Sequence, residues 1–398
     1  MAIRAAGLRS PSNAMQTFDG TTAHRHCPAM NQMDFQAARL TVRLGAVVSN
    51  FRVCQRLAGP AAVAAVVKAD AYGLGAKHVS EALTRVGCDT FFVARAEEGV
   101  GLRPVVPHAR IFVLDGAVAD TVPSLISHRL TPVLNSLSQI AGWRAAAKET
   151  RAILDCAIHL DTGMNRLGLS GDELSLLAAE WTKRIDGLRP VLVMSHLACA
   201  DDPESKMNGM QRERFRIALA MLPSMPASLA SSGGVLLGKT YAFDLVRPGI
   251  GLYGGNIQNM PVNPFSVAAV LTARILQVRR VDSGGSVGYG ATFLTKRPSV
   301  LATVALGYAD GLMRAIGNRG YAAIGGARAP VLGRVSMDLT TLDVTDIPSE
   351  YLGPDAEAEF IGDAISLEEA ARAGNTASYE ILASLTQRIP RHYVDSAA

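Results

Sequence analysis

Lys68 directly follows the first strongly apolar stretch of the chain, in the string VVKAD at residues 66–70. The stretch before it is typical of a buried strand, so the amine would lie partly out of water. Desolvation lowers the pKa of an amine and frees its lone pair for imine formation or proton transfer. Most lysines at a strand end only carry their charge to solvent. Taken alone, Lys68 is therefore a candidate for chemistry and no more.

A second string, GGVLLGKT at residues 233–240, fits the phosphate-loop pattern GxxxxGK[ST]. A loop that cradles phosphate exposes its backbone, but Val235, Leu236 and Leu237 are bulky apolar residues. The chain also reaches Pro248 within about two helical turns, whereas a phosphate loop opens a full helix. We interpret the match as chance, which makes a nucleotide hydrolase the remotest function considered.

The composition is that of a globular protein, with 398 residues of which 48% are hydrophobic and 19% charged. The net charge of +4 is small and no run of five Lys or Arg residues occurs, so nucleic acid is not an expected partner. No apolar run reaches the ~18 residues of a membrane span. The five cysteines form no CxxC pair, so we expect neither disulfides nor a metal site, and a cytoplasmic location.

Short apolar runs alternate with helical stretches from about residue 40 to residue 265. The candidate strands are Ala62–Val67, Thr90–Ala94, Arg110–Leu114, Thr131–Leu134, Ile153–Leu160, Val191–His196, Ala227–Ala230 and Leu245–Arg247. Eight strands alternating with helices over roughly 220 residues predict an α/β domain of the (β/α)8, TIM-like barrel type. A doubly wound open sheet is the alternative that periodicity leaves open.

The pattern changes beyond residue 265. The segments that read as strands are Val267–Val281, Ser299–Leu306, Ala322–Leu332 and Leu339–Val344, and only Leu367–Leu385 reads as mainly helical. We predict a disordered extension at 1–37, a barrel domain at 38–265 and a mostly-β domain at 266–398. The polar N-terminus also leaves Met30 or Met33 as possible biological starts.

The string VVKADAYGLG around Lys68 resembles the cofactor-lysine motif of alanine racemases, which are fold-type-III enzymes that use pyridoxal 5'-phosphate. Other strings match motifs of that family in the same order: HLDTGMNRLGL (159–169), MSHLACADD (194–202), SLASSGG (228–234), VRPGIGLYG (246–254), VGYGATF (287–293), ALGYADGLMR (305–314) and GRVSMD (333–338). The resemblance covers nearly everything after residue 40 and implies the same pair of domains.

The resemblance implies two catalytic groups on opposite sides of the substrate. Lys68 would hold the cofactor as a Schiff base and act as one base, and Tyr289 of a partner subunit would act as the other in a homodimer with shared active sites. Inverting a stereocentre requires that a proton leave one face and another arrive at the opposite face. Without the resemblance, Tyr289 in its glycine-rich turn would be interpreted as a packing residue.

Further cofactor contacts follow from the same resemblance. Arg247 would hydrogen-bond the pyridine nitrogen and leave it unprotonated, because a guanidinium does not give up its proton. His196 would support Arg247; outside the family it would be a satisfied core histidine. The phosphate would be held by Tyr72, Ser232 and the backbone N–H groups of Gly249 and Ile250, since glycine-rich turns expose amides to anions.

The substrate side is assigned in the same way. Arg166 would face both the phenolic oxygen of the cofactor and the substrate carboxylate, and Met337 would offer that carboxylate a backbone amide. The remaining matched residues, Tyr308, Arg334 and Asp338, would line the access corridor.

Three positions depart from the pattern of the family. His159 stands where many members carry a carbamylated lysine, so the negative charge that would orient Arg166 must come from elsewhere, for example from a bound chloride, or be absent. Ser231 stands where asparagine is common, and Gln387 replaces a tyrosine that some members use near the phosphate. These departures bear on affinity and substrate choice rather than on the catalytic pair.

The predicted function is therefore the interconversion of L- and D-alanine, which would supply D-alanine for peptidoglycan. A racemase of broader range, acting on serine for example, is the nearest alternative. A decarboxylase of the same fold type is less favoured, because those enzymes place an acidic residue where this chain has Arg247. A non-catalytic pyridoxal-phosphate carrier resembles the barrel alone, and the second domain with Tyr289 and Met337 argues against it.

Overall fold

The computed structural model describes residues 36–395. The strands up to the end of the barrel are β1 (Ala38–Arg43), β2 (Ala62–Val63), β3 (Ala65–Val66), β4 (Thr90–Val93), β5 (Arg110–Val113), β6 (Thr131–Leu134), β7 (Leu154–His159), β8 (Leu188–Met194), β9 (Ala227–Ser228) and β10 (Leu245–Val246). The helices of the same part are α1 (Leu44–Ala58), α2 (Lys68–Tyr72), α3 (Ala76–Arg85), α4 (Ala96–Leu102), α5 (Val122–Ser127), α6 (Leu137–Thr150), α7 (Gly171–Ala179), α8 (Trp181–Arg184), α9 (Lys206–Ala220) and α10 (Ser232–Leu236).

The later strands are β11 (Ala269–Val281), β12 (Ser286–Val287), β13 (Phe293–Leu294), β14 (Ser299–Val304), β15 (Tyr321–Ile324), β16 (Ala327–Leu332), β17 (Thr340–Asp343), β18 (Glu357–Ile361) and β19 (Arg391–Val394). They are accompanied by α11 (Leu367–Gly374) and α12 (Ser378–Ala383). Short 3-10 turns lie at Ala119–Thr121, Lys239–Tyr241, Ile250–Tyr253, Tyr289–Ala291, Tyr308–Asp310, Arg314–Ile316 and Ser349–Tyr351.

The parallel strands close into a barrel. Strands β3 to β9 form one parallel sheet in sequence order, and β10 pairs in parallel with β2, which leads into β3 after one residue. Two backbone bonds join β10 to the β9 segment, from Asp244 N to Ala227 O (3.0 Å) and from Arg247 N to Ala230 O (2.8 Å). The predicted α/β barrel is confirmed, and the doubly wound alternative is excluded because an open sheet would leave β10 unpaired with the first strand.

Apolar side chains explain why these strands form. In β6 all four residues are buried, and the central residues of β4 and β5, including Phe91, Phe92 and Phe112, are buried as well. Strands covered on both faces read as continuous apolar runs, which is what a barrel core requires. Helix α7 begins with a capping box in which Ser170 Oγ accepts from Glu173 N at 3.3 Å and the Glu173 carboxylate accepts from Ser170 N at 3.1 Å.

The second sheet is mainly antiparallel and contains strands from both ends of the described chain. Its order is β14-β17-β16-β15-β18-β11-β1-β19, and β14 also pairs with β11. Strand β1 pairs antiparallel with β11 and parallel with β19. Residues 38–43, which the sequence placed with the barrel, therefore lie in the sheet of the C-terminal part, although the boundary at 265/266 stays a prediction. The extension predicted at 1–37 lies almost entirely outside the described residues.

Two predicted elements are each divided in the structure. The run at 322–332 is a hairpin of β15 and β16, because Gly325 and Gly326 take φ of 56° and 81° and turn the chain. The helical run at 367–385 is interrupted by Asn375, which takes a left-handed conformation after α11. Among residues 36–395 no helix combines the length and the apolar character that a bilayer crossing needs.

Candidate active site

A cavity of about 660 Å³ opens at the carboxyl ends of the barrel strands. This is the face where barrel enzymes hold their active sites, because the loops after every strand converge there. All the predicted cofactor-binding residues line the cavity: Lys68, Tyr72, Arg166, His196, Ser232, Arg247, Gly249 and Ile250. Motifs spread over some 180 positions of sequence are thus brought to one place by the barrel.

Lys68 begins a turn with unusual backbone geometry. The four residues after it take φ of 51°, 54°, 53° and 58°, so the turn winds with the left hand. Such a conformation costs roughly 1–2 kcal/mol per L-residue and persists only where surrounding contacts impose it. The contacts here include Ala69 N donating to Glu98 Oε1 at 2.7 Å and Ala76 N donating to Asp70 Oδ1 at 2.7 Å.

The electrostatic surroundings of Lys68 favour the free amine. Burial lowers the pKa of Lys68, and the nearby charge of Arg166 lowers it further, while Glu98 and Asp115 act in the opposite direction. A lysine with a lowered pKa has a larger fraction of unprotonated amine at neutral pH. That fraction is what imine formation and proton abstraction both require.

Arg247 is held rigidly in the floor of the cavity. The residue is 4% exposed, its Nη2 donates to Ser195 O at 2.7 Å, and its Nη1 donates to Ser228 Oγ. Burial lowers the pKa of Arg247 to about 9, which still leaves the guanidinium charged at neutral pH. No hydrogen bond to residues 36–395 uses its Nε, so this donor is available to a group in the cavity.

His196 lies close enough to Arg247 for the charge of the guanidinium to act on its imidazole. Within the described chain the hydrogen bonds of Arg247 go to Ser228 and the Ser195 carbonyl, so support by His196 stays a prediction. Burial, and then the charge of Arg247, lower the pKa of His196 to about 3. The imidazole is therefore neutral, and it adds no positive charge to the cavity.

Ser232, Gly249 and Tyr72 form a compact polar corner of the cavity. Ser232 Oγ accepts hydrogen bonds from Gly249 N (2.8 Å) and Gly251 N (3.1 Å), which leaves its O–H free to donate. A Cβ on Gly249 would lie 2.3 Å from the Tyr72 hydroxyl, so the two residues approach closely. Of the two predicted phosphate-binding amides, that of Gly249 is already bonded to Ser232 here, whereas no backbone bond within the described chain uses that of Ile250.

Tyr379 is a cavity residue that sequence reasoning missed. It lies on α12, and its ring centroid is 6.2 Å from that of Tyr72. Burial raises the pKa of Tyr379 to about 12, and the nearby charge of Asp201 adds to this. The sequence had directed attention to Gln387, which is exposed and does not line the cavity. The string SYEILA contained the tyrosine, but nothing in its helical pattern distinguished it from a packing residue.

The other predicted site residues lie on a separate, exposed surface of the second domain. Tyr289 is 71% exposed, Met337 53% and Tyr308 42%. Their loops are neighbours: Ala309 N donates to Met337 O at 2.9 Å, and a Cβ on Gly290 would lie 3.1 Å from the Arg334 guanidinium. Asp338 pairs with Arg388 at 2.8 Å on the same surface. None of these residues lines the cavity of its own chain.

Family models match nearly all of the described chain. Residues 42–257 match the model described as alanine racemase, N-terminal domain, and residues 268–393 match the model described as alanine racemase, C-terminal domain. The two matches adjoin where the barrel gives way to the second sheet.

Curated relatives and solved structures agree with the family models. The chain is 46% identical over 372 residues to an alanine racemase of Rhizobium meliloti, covering 91% of this chain and 98% of the relative. Two relatives of Agrobacterium fabrum, named alanine racemase, biosynthetic and alanine racemase, catabolic, are each 44% identical, and cover 89% and 90% of this chain and 93% and 92% of their own length. The crystal structure of a Bartonella henselae alanine racemase with covalently bound pyridoxal phosphate superposes with a TM-score of 0.86 at 37% identity, covering 90% of this chain and 99% of its own.

Proposed function

The chain belongs to the alanine racemase family, and from this premise we propose that its cavity converts L-alanine into D-alanine and back. It is an isomerase, and pyridoxal 5'-phosphate is its cofactor. The observation that carries the proposal is the convergence, in one cavity, of a desolvated amine, a buried guanidinium and a polar corner with a free hydroxyl donor. Each of these matches one part of the cofactor.

The residues of the cavity fit the cofactor in size and chemistry. A volume of about 660 Å³ is in the range of small-molecule sites. Ser232, the Ile250 amide, Tyr72 and Tyr379 are donors suited to the phosphate, and the free Nε of Arg247 is a donor suited to the ring nitrogen. When bound, the cofactor withdraws electrons from the Cα–H bond of the substrate and so weakens it.

The protein residues would divide the work of proton transfer. Lys68, with its lowered pKa, would take or give a proton on one face of the substrate. Arg247 keeps its own proton, so a ring nitrogen held by its Nε would stay neutral. Arg247 would thereby limit electron withdrawal from the substrate and favour prompt return of the proton to carbon over side reactions. Arg166 would bind the substrate carboxylate.

The second face of the substrate would be served by Tyr289 from a second copy of the chain. We propose a homodimer in which Tyr289, the Met337 amide and the corridor residues Tyr308, Arg334 and Asp338 face the cavity of the other subunit. Two observations support this. Among residues 36–395 the tyrosines that line the cavity are Tyr72 and Tyr379, which we assign to the phosphate, and the five residues are grouped on a separate exposed surface.

Isotope exchange tests the reaction. Purified protein should bind pyridoxal phosphate with a visible absorbance, and L-alanine in deuterated water should yield D-alanine labelled at the α-carbon. Lys68→Ala should lose both properties, whereas the exposed Lys183→Ala should keep them. Visible absorbance without isotope exchange would indicate a non-catalytic carrier. Release of CO2 would indicate a decarboxylase, and turnover of serine as fast as alanine would indicate a racemase of broader range.

The biological role we propose is supply of D-alanine for peptidoglycan from a cytoplasmic enzyme. The Agrobacterium relatives named biosynthetic and catabolic are equally similar to the chain, so a host experiment must separate the two roles. Deleting the gene should make growth dependent on added D-alanine. Normal growth on rich medium together with failure to use alanine as a carbon source would assign the catabolic role.

A further inference from the structure

Asn135 fixes which nitrogen of His159 carries the proton. The amide nitrogen of Asn135 donates to Leu114 O and Val133 O, both at 2.9 Å, so both of its hydrogens are used. Its Oδ1, 2.7 Å from His159 Nδ1, is therefore an acceptor. An acceptor at that distance requires a proton on Nδ1 of the imidazole.

The remaining nitrogen of His159 carries a lone pair. Burial, and then the charges of Arg247 and Arg166, lower the pKa of His159 to about 4, against the opposing effect of Asp161. The ring is thus neutral at pH 7 with its single proton on Nδ1. The side chain lines the cavity while its residue is 8% exposed, and within residues 36–395 its Nε2 has no hydrogen-bond partner.

Arg166 is a cation in the same cavity that lacks a partner among residues 36–395. It is exposed and forms no hydrogen bond or ion pair with any described residue. Its loop leaves β7 directly after His159 and returns to it, since Leu169 N donates to His159 O at 2.8 Å. Asp161 Oδ1 stiffens the loop by accepting from Gly163 N at 2.9 Å and Met164 N at 3.0 Å. The loop therefore returns Arg166 to the neighbourhood of the imidazole.

We infer that His159 is a positioning residue whose Nε2 accepts a hydrogen bond from the Arg166 guanidinium when the cavity is filled, and so holds Arg166 for the substrate carboxylate. The inference rests on the proposed function and deepens it. A neutral hydrogen-bond acceptor then orients the Arg166 guanidinium, and no anion is needed for that purpose. A chloride or carbamate beside Nε2 would instead face the negative end of the ring dipole.

Nitrogen NMR on the unaltered holoenzyme tests the inference directly. With 15N-labelled histidine, one ring should show a protonated Nδ1 and an unprotonated Nε2 at neutral pH, and its signals should disappear in His159→Gln. A protonated Nε2, or an imidazolium, at position 159 would overturn the inference. This readout needs no racemase activity, so its failure is distinct from failure of the proposed function.

Kinetics test the positioning role. His159→Phe removes the acceptor and should raise the KM for L-alanine about tenfold or more, with a smaller change in kcat, because a hydrogen bond to a charged group is lost. His159→Gln places an amide oxygen near the former Nε2 and should restore most of the loss. The exposed His108→Phe is the control and should change neither constant. Equal impairment in the Phe and Gln variants, or none in either, would contradict the role.

An anion titration separates the neutral acceptor from a bound ion. Replacing chloride by gluconate at constant ionic strength, in buffer free of bicarbonate, should leave the KM of the unaltered enzyme unchanged. A saturable fall in KM on adding chloride or bicarbonate would show that an ion holds Arg166 and would overturn the inference.

Discussion

At the scale of single residues, Gly249 is the position in the polar corner of the cavity with the least space for an added side chain. Its φ is −121°, so no left-handed conformation requires a glycine there. An added Cβ would lie 2.3 Å from the Tyr72 hydroxyl and 3.0 Å from its Cζ. The ring is itself confined by Tyr253, whose centroid is 4.9 Å away. Tyr72 thus has little room to yield.

We expect Gly249→Ala to weaken cofactor retention about tenfold or more, because an overpacked site typically costs 1–3 kcal/mol. The measurement is the visible absorbance that remains after dialysis against buffer without cofactor. Gly171→Ala serves as the control, since a Cβ at that position meets nothing within 4 Å. Equal retention in the two variants would mean that Tyr72 moves aside freely.

The buried neutral histidines make stability depend on pH. His159 has a folded pKa of about 4 against an ordinary value of 6.5, so the unfolded chain binds a proton that the folded chain does not between these values. The contribution of His159 to the free energy of unfolding is fully present above pH 6.5 and is lost as the pH falls toward 4. His196, with a folded pKa of about 3, adds in the same direction.

Urea unfolding at a series of pH values should show this linkage. As the pH falls from 6 to 4.5, the free energy of unfolding should decline in both proteins. The decline should be less steep for His159→Gln than for the unaltered protein, with a difference in slope of about 1.4 kcal/mol per pH unit. Parallel slopes in the two proteins would show that His159 is protonated in the folded state.

Sequence motifs identified most of the residues that surround the cavity, because their chemistry is local to short strings. They did not identify Tyr379, since a tyrosine in a helix becomes a site residue only through the packing of α12 against the barrel mouth. They also did not identify Ser228 and the Ser195 carbonyl as hydrogen-bond partners of Arg247. Which of several polar groups reaches a buried guanidinium depends on register between strands, and no single string encodes it.

At the scale of elements, the C-terminal strand β19 secures the turn that carries Lys68. Arg391, the first residue of β19, donates through Nε to Gly73 O at 3.1 Å and through Nη2 to Leu385 O at 2.8 Å. The Tyr393 ring stacks on His78 of α3 with centroids 3.8 Å apart. These contacts come from the second domain and help to impose the left-handed geometry after Lys68.

Arg391→Ala should lower the free energy of unfolding by about 2 kcal/mol or more, because several carbonyls lose a shared charged donor. It should also lower kcat, since the Lys68 turn would relax. Arg328→Ala, which breaks an exposed pair with Glu369, should cost less than about 1 kcal/mol and spare kcat. Urea unfolding and steady-state rates provide both numbers. If Arg391→Ala kept both the stability and the kcat of the unaltered enzyme, β19 would not be needed to hold the turn that carries Lys68.

Local patterns predicted the barrel elements well because each strand there is a short apolar run between helices, and β6 has the predicted bounds. They did not predict β1, whose string ARLTVR mixes charged and apolar residues. Its main partner is β11, more than 200 positions later, as the pairing of Leu40 with Leu271 shows. Pairing across such a distance leaves no trace in a short window of sequence.

At the scale of the whole molecule, a complete site requires two copies of the chain under the proposed function. The amine and the phenol then belong to different subunits, so each inactive variant can supply what the other lacks. A heterodimer of Lys68→Ala with Tyr289→Phe carries one site that keeps both groups.

Equal mixtures of Lys68→Ala and Tyr289→Phe should therefore regain activity after subunit exchange, up to about a quarter of the unaltered sites, because half of the dimers are mixed and half of their sites are intact. Each variant alone should stay inactive. Activity is measured per subunit after exchange has been verified with a tagged copy. Proven exchange without any regain would show that the two residues do not share a site.

The pairing of β1 with β19 also orders events during synthesis. Leu40 leaves the ribosome among the first residues of the described chain, whereas its neighbour in the sheet, Arg391, is among the last. The edge of β1 thus stays unpaired until β19 has been synthesised, and the turn beside Lys68 lacks the contacts of Arg391 until then. Chains that stop before residue 391 cannot complete the sheet, and an unpaired strand edge of this kind is prone to pair with other chains.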